Sequence, residues 1–156
     1  MLSDDQKQEL TDVLKSMLER MGIPARVSVA DNLNGTEFNI YTPDSRLLIG
    51  QHGANLAALQ WVLTTIAFHK YPEIERFTLD IDDYRKQREY RLREIAKRSL
   101  SDLKKTGNPV KLAPMNAYER RIVHAYLSTE FGIETESIGK EPNRSIVIRN
   151  KEKGDI

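Results

Sequence analysis

Apolar residues recur along the first twenty positions with the period of a helix. Leu10, Val13, Leu14, Met17, Leu18 and Met21 form one stripe, the spacing that buries a single helical face. Ser3 and Gln6 have capping-box spacing at its start, and Gly22 and Pro24 stop it. The period then changes to two. Val27 and Val29 alternate with polar residues, as do Phe38 and Ile40 after an Asn34-Gly35 turn, which predicts a β-hairpin. A short helix over Asp44 to Ile49 leads through Gly50-Gln51-His52-Gly53 into a longer one, with Leu56, Leu59, Leu63, Ile66 and Ala67 on one side. Phe77, Leu79 and Ile81 alternate through a third strand.

From Asp82 or Asp83 a long helix runs to about Lys105, with Leu92, Ile95, Ala96, Ser99 and Leu103 as its inner positions; Thr106-Gly107-Asn108-Pro109 ends it. A short strand over Val110–Leu112 precedes Pro114. Asn116 and Glu119 repeat the capping-box spacing at the next helix start. Ile133–Ile138 and Arg144–Arg149 make two strands about a Glu141-Pro142-Asn143 turn. The fold class is therefore α+β. Residues 1–83 form an α-β-β-α-α-β domain, and residues 84–150 an α-β-α-β-β domain that includes the connecting helix 84–105. Residues 151–156 form a frayed tail.

Composition narrows the function classes. There is no cysteine among 156 residues, which removes disulfides, thiolate metal sites and cysteine nucleophiles. No apolar run reaches the length of a membrane span and the N-terminus lacks the pattern of a secretory signal, so the expectation is a cytoplasmic protein without stable membrane insertion. The net charge of +1 conceals a strong asymmetry. Residues 1–83 hold 7 basic and 13 acidic residues, whereas residues 84–129 hold 12 basic and 4 acidic. A basic middle of this kind fits a polyanion, and it fits equally well a solvated helix face.

Two short patterns carry chemistry. In Gly50-Gln51-His52-Gly53 the glycines permit positive φ and close backbone approach at the start of the next helix, where exposed amides and the helix dipole favour an anion. Glycines so placed can also make no more than a tight helix–helix turn. In Arg120-x-x-x-His124 the two side chains lie four apart on one helix face, so a guanidinium and an imidazole with an ordinary pKa near 6.5 can converge on one phosphate. The plain alternative is an exposed arginine beside a packed histidine. Trp61 reads as core, His69 as a helix-end residue, and Tyr84, Tyr90 and Tyr118 stand for either base stacking or packing. The three histidines have no metal-ligand spacing, and no catalytic motif or cofactor motif is present.

The segments Leu47-Leu48-Ile49-Gly50-Gln51-His52-Gly53, Leu56-Ala57-Ala58-Leu59-Gln60 and Leu79-Asp80-Ile81-Asp82-Asp83-Tyr84-Arg85 resemble the bacterial Jag family, also called KhpB or SpoIIIJ-associated proteins. The resemblance is strongest in Pro114-Met115-Asn116, Glu119-Arg120-Arg121-Ile122-Val123-His124 and Thr135 to Arg144. It implies a type II KH domain followed by an Arg-x3-His (R-3-H) domain, and an RNA-binding regulator rather than an enzyme. It implies a KH clamp of Gly50, Gln51, His52 and Gly53. The family's clamp usually carries Lys or Arg in its middle positions, so here backbone amides, with His52 and Arg46, would hold the phosphate. In the second domain the resemblance makes Arg120 and His124 the signature pair, with Arg121, Lys111, Lys140 and Arg144 as rim contacts. The partners it implies are single-stranded RNA, with single-stranded DNA second, and a second small KH protein. The implied process is post-transcriptional regulation linked to cell-envelope growth. A nuclease and an adaptor at the membrane insertase remain as alternatives.

Overall fold

The structure is a computed structural model that describes residues 1–151; the tail expected at 151–156 lies, beyond Lys151, outside the described residues. The chain is α+β and divides into two compact units, the first Met1–Arg85 and the second beginning at Lys86.

In the first unit, α1 (Asp4–Arg20) opens on the reciprocal Ser3–Gln6 capping box and buries Leu10, Leu14 and Leu18, while Met21, just past its end, is exposed. The strands β1 (Arg26–Asn32) and β2 (Gly35–Tyr41) pair antiparallel. Asn32 pairs with Gly35, so the two-residue turn is Leu33-Asn34 and not Asn34-Gly35. Gly35 has a φ of 116°, and a Cβ there would lie 3.3 Å from the Arg76 carbonyl oxygen. The chain then forms α2 (Ser45–Ile49), a single 3-10 turn over Gln51–Gly53, and α3 (Ala54–Lys70). Strand β3 (Phe77–Ile81) returns parallel to β2, giving the order β1-β2-β3. Phe38, Ile40, Leu79 and Ile81 from the sheet meet Leu14, Leu18, Leu56 and Leu63 from the helices in one core.

The edge strand β3 has an unexpected partner. The Leu79 amide donates to Gln60 Oε1 at 2.5 Å, and Gln60 Nε2 donates to the Phe77 carbonyl at 3.3 Å. One side-chain amide of α3 thus occupies a free ladder position, satisfying backbone groups that an edge leaves open. The expectation that Trp61 belongs to the core is wrong: it is 69% exposed. Leu56, Leu59, Leu63 and Ala67 fill the inner stripe of α3, which leaves Ala57, Ala58, Trp61 and Phe68 on the outer side. Apolar residues on every side of a helix conceal which face is buried.

Helix α4 (Tyr84–Thr106), whose first two residues belong to the first unit and the rest to the second, is one to two residues shorter at its start than its sequence suggests. Asp82 and Asp83 adopt left-handed conformations, with φ of 48° and 55°, which no helix interior accepts. From Lys86 onward, α4 is a core element, burying Leu92, Ala96, Leu100 and Leu103. Ile95 lies at the surface instead, and Leu100 takes the inner place. Strands β4 (Val110–Lys111), β5 (Ile133–Ile138) and β6 (Ser145–Asn150) form a sheet in the order β4-β6-β5, all antiparallel. Between them α5 (Ala117–Leu127) begins on an Asn116–Glu119 capping box and buries Val123 and Leu127 against Ile146 and Ile148. Among the described residues, no helix is long and apolar enough to cross a membrane.

Candidate nucleic-acid interface

The loop joining α2 to α3 is built from left-handed backbone. Gly50 (φ 71°), His52 (φ 52°) and Gly53 (φ 77°) all occupy positive φ. Two of these positions also lack room for a side chain. A Cβ on Gly50 would lie 2.6 Å from Asn55 Cγ, and one on Gly53 would lie 3.2 Å from the Tyr84 ring. Asn55 is held there because its Nδ2 donates to the Leu47 carbonyl at 2.8 Å, tying α2 to the first turn of α3. Gly53 stands at the N-cap of α3, so no side chain caps that helix and no acidic residue lies in its first turn. The positive end of the α3 dipole therefore faces the loop without an internal anion. Gln51 and Arg46 are exposed beside it, and Arg46 has no ion-pair partner among the described residues. Next to the loop lies an apolar cleft of about 390 Å³, lined by Met21, Ile23, Leu47, Leu48, Asn55 and Leu59.

The Arg-x3-His pair is differently placed from the expectation. Arg120 and His124 do share one face of α5, but their polar ends are already engaged. Arg120 is 6% exposed. Its Nη1 donates to the Met115 carbonyl at 2.5 Å and its Nη2 to Glu141 Oε1 at 2.6 Å. The guanidinium thus fastens the turn before α5 to the turn between β5 and β6. The imidazole of His124 lies between two hydroxyls of β5, with Nδ1 2.6 Å from Thr135 Oγ1 and Nε2 3.0 Å from Ser137 Oγ. A neutral imidazole donates from one nitrogen and accepts at the other, and rotatable hydroxyls suit either tautomer. Burial, and after it the charge of Arg120, hold the His124 pKa below its ordinary value. Arg120 and His124 thus brace α5, the first to Met115 and to Glu141 in the β5–β6 turn, the second to Thr135 and Ser137 of β5.

Glu119 shows the same economy. It is 2% exposed; its Oε2 accepts from the Asn116 amide at 3.1 Å and its Oε1 from Arg88 Nε at 2.6 Å. Arg88 lies on α4, so the capping carboxylate also joins two helices, a partnership 31 residues apart. The rim residues separate in their exposure. Arg121 on α5, Lys111 on β4 and Lys140 in the β5–β6 turn are exposed. Arg144 is half-buried, and its Nε is shielded from solvent without a hydrogen-bond partner. No cluster of three metal-ligating side chains occurs among the described residues.

Known proteins resemble this chain over most of its length. The R-3-H domain model matches residues 91–150. The RNA-binding protein KhpB of Clostridium symbiosum is 33% identical over 142 residues, covering 90% of this chain and 64% of that protein. RNA-binding protein KhpB of Lactiplantibacillus plantarum is 32% identical over 139 residues, or 89% of this chain and 43% of that one. The chain thus spans less than two thirds of the length of these two relatives. RNA-binding protein KhpB of Bacillus subtilis is 31% identical over 150 residues, covering 94% of this chain and 72% of its own length. The segments singled out in the sequence fall within that shared length, and the chain belongs to the KhpB family.

Proposed function

We propose that this chain binds single-stranded RNA, through a type II KH unit in residues 1–83 and an R-3-H unit in residues 84–150. The observation that carries the reading is the left-handed loop Gly50–Gly53 at the uncapped start of α3, beside the apolar cleft of Leu47, Leu48 and Leu59. A phosphate of a single strand suits the amide-rich helix start, and the cleft offers an apolar wall to an unstacked base. Arg46, Gln51 and His52 supply side-chain donors around it. In the second unit Arg120 acts by holding the turns in place and His124 by holding α5 to β5, and Arg121, Lys111, Lys140 and Arg144 reach the strand. The relatives' description as RNA-binding proteins agrees with this. The role is regulatory and not catalytic, in post-transcriptional control tied to cell-envelope growth, with a second small KH protein as partner and the cytoplasm as location.

Fluorescence anisotropy with a labelled oligonucleotide tests the reading. Affinity for a single strand should exceed that for a duplex of the same sequence, should survive chelators, and should fall with salt by about 0.7 log units per log unit of salt for each phosphate neutralised. Equal affinity for the duplex refutes the clamp. The other reading, an adaptor at a membrane insertase, draws on the basic surface of α4, and retention on anionic vesicles without any RNA retention would favour it.

A further inference from the structure

Helices α4 and α5 do not close against each other along their outer edge. A shallow groove runs between them, lined by Glu89, Arg93, Arg121, Ile122, Ala125 and Tyr126. Its floor is apolar and its rim is charged. On α4, Lys86, Tyr90, Arg93 and Lys97 follow helical spacing along the face that borders the groove. On α5, Tyr118, Arg121 and Ala125 do the same. Lys86, Lys97 and Arg121 have no ion-pair partner among the described residues, while Arg93 is paired with Glu89 at 2.6 Å. Two tyrosines stand exposed on these faces, Tyr90 at 67% and Tyr118 at 57%. Cations without partners, aromatic rings turned to water and an apolar floor are the three parts of a sequence-tolerant single-strand track.

We infer that this α4–α5 groove is the strand-binding track of the second unit, with Arg93 and Arg121 on the phosphates and Tyr90 or Tyr118 beneath the bases. The inference rests on the RNA-binding reading and deepens it: it moves the second contact from the β4 strand and β5–β6 turn to the opposite, helical side of α5. That side is available because Arg120 and His124 point away from it, into their braces. Glu89 then has a definite effect. Its carboxylate competes with the strand for Arg93, so it weakens binding and sets a ceiling on affinity.

The test uses the full chain and a labelled single-stranded oligouridylate, read by anisotropy across a salt series. Glu89→Gln should tighten binding several-fold while changing the salt slope by less than about 0.7, the increment for one phosphate contact on a single strand, because Arg93 meets its phosphate in both proteins. A gain of this kind cannot come from misfolding. Asp102→Asn changes the charge of the same helix by the same amount away from the groove, and should leave both quantities unchanged. Arg93→Ala with Arg121→Ala should lower the slope by about 1.4, two contacts at the same increment. Tyr118→Ala should cost about fivefold or more, the effect of losing one stacked base. Lys111→Ala with Lys140→Ala should do less than either. If wild type binds and the groove variants are neutral, or if Asp102→Asn tightens binding as much as Glu89→Gln does, the groove is refuted and RNA binding stands. If wild type retains no RNA, the underlying reading fails instead.

Discussion

Arg120→Ala distinguishes a guanidinium that braces the fold from one that meets RNA. In the wild-type protein Nη1 supplies a buried, charge-assisted hydrogen bond to the Met115 carbonyl. Removing such a donor leaves the carbonyl unsatisfied, at a cost of about 1.5–3 kcal/mol. The partner Glu141 is more than half exposed, so that ion pair adds no more than about 1 kcal/mol. The buried methylenes of the stem account for about 0.8 kcal/mol each. The expected loss is about 3–5 kcal/mol, at the severe end for a single substitution. Arg120→Lys keeps the charge and one bond but not the fork, and should lose about half as much. Urea denaturation followed by far-UV circular dichroism reads the loss. Anisotropy well below the transition midpoint then reads RNA affinity of the folded variant. Affinity within about twofold of wild type, with the shifted midpoint, is the expected pair of results. An unshifted midpoint with collapsed RNA affinity would refute the brace and return Arg120 to the phosphate.

Three further substitutions follow from the same geometry. Gly53→Asp should abolish clamp binding and also cost about 1–2 kcal/mol of stability, because a Cβ residue at a φ of 77° is strained and the Tyr84 ring must yield; a variant that melts like wild type would contradict the backbone geometry. Gln60→Ala should destabilise the first unit by about 1–3 kcal/mol by exposing the β3 edge at Phe77 and Leu79, and hydrogen exchange at the Leu79 amide should quicken; an unchanged rate there counts against the clip. His124, whose folded pKa is lowered, takes up its proton more readily when unfolded. Its contribution is therefore present above about pH 6.5 and is lost as the pH falls from there through the folded value. His124→Asn should flatten the fall in stability between about pH 7.5 and 5.5, and parallel pH curves for wild type and variant would refute the assignment.

What the sequence disclosed and what it withheld divide along the range of the interactions involved. The capping boxes at Ser3 and Asn116 depend on residues three apart, and both are legible in the chain. The glycines of the α2–α3 loop are legible too, since a positive φ is a local demand. The α+β class follows from hydrophobic periods alone. The hairpin turn shifted by one residue because Asn34-Gly35 is the commoner turn pair, whereas here the approach of the Arg76 carbonyl reserves Gly35 for a strand position. The outward placement of Trp61 was hidden because α3 is apolar on all sides. The buried state of Arg120 was hidden for another reason. Its partners are Met115, five residues back, and Glu141, in a turn that only the assembled sheet brings near. Gln60 and Arg88 are cases of the same kind. In the pattern of the chain each is a polar surface residue, and each acquires a partner only through tertiary structure.

The outward position of Trp61 also governs what optical measurements on this protein can report. It is the single tryptophan of the chain, and it stands on α3 in contact with water. An indole in that setting emits at much the same wavelength before and after denaturation, so intrinsic fluorescence is a poor gauge of unfolding here. It is instead a gauge of arrivals: any body that covers the outer side of α3 must remove water from that ring and shift its emission to the blue, with no label attached.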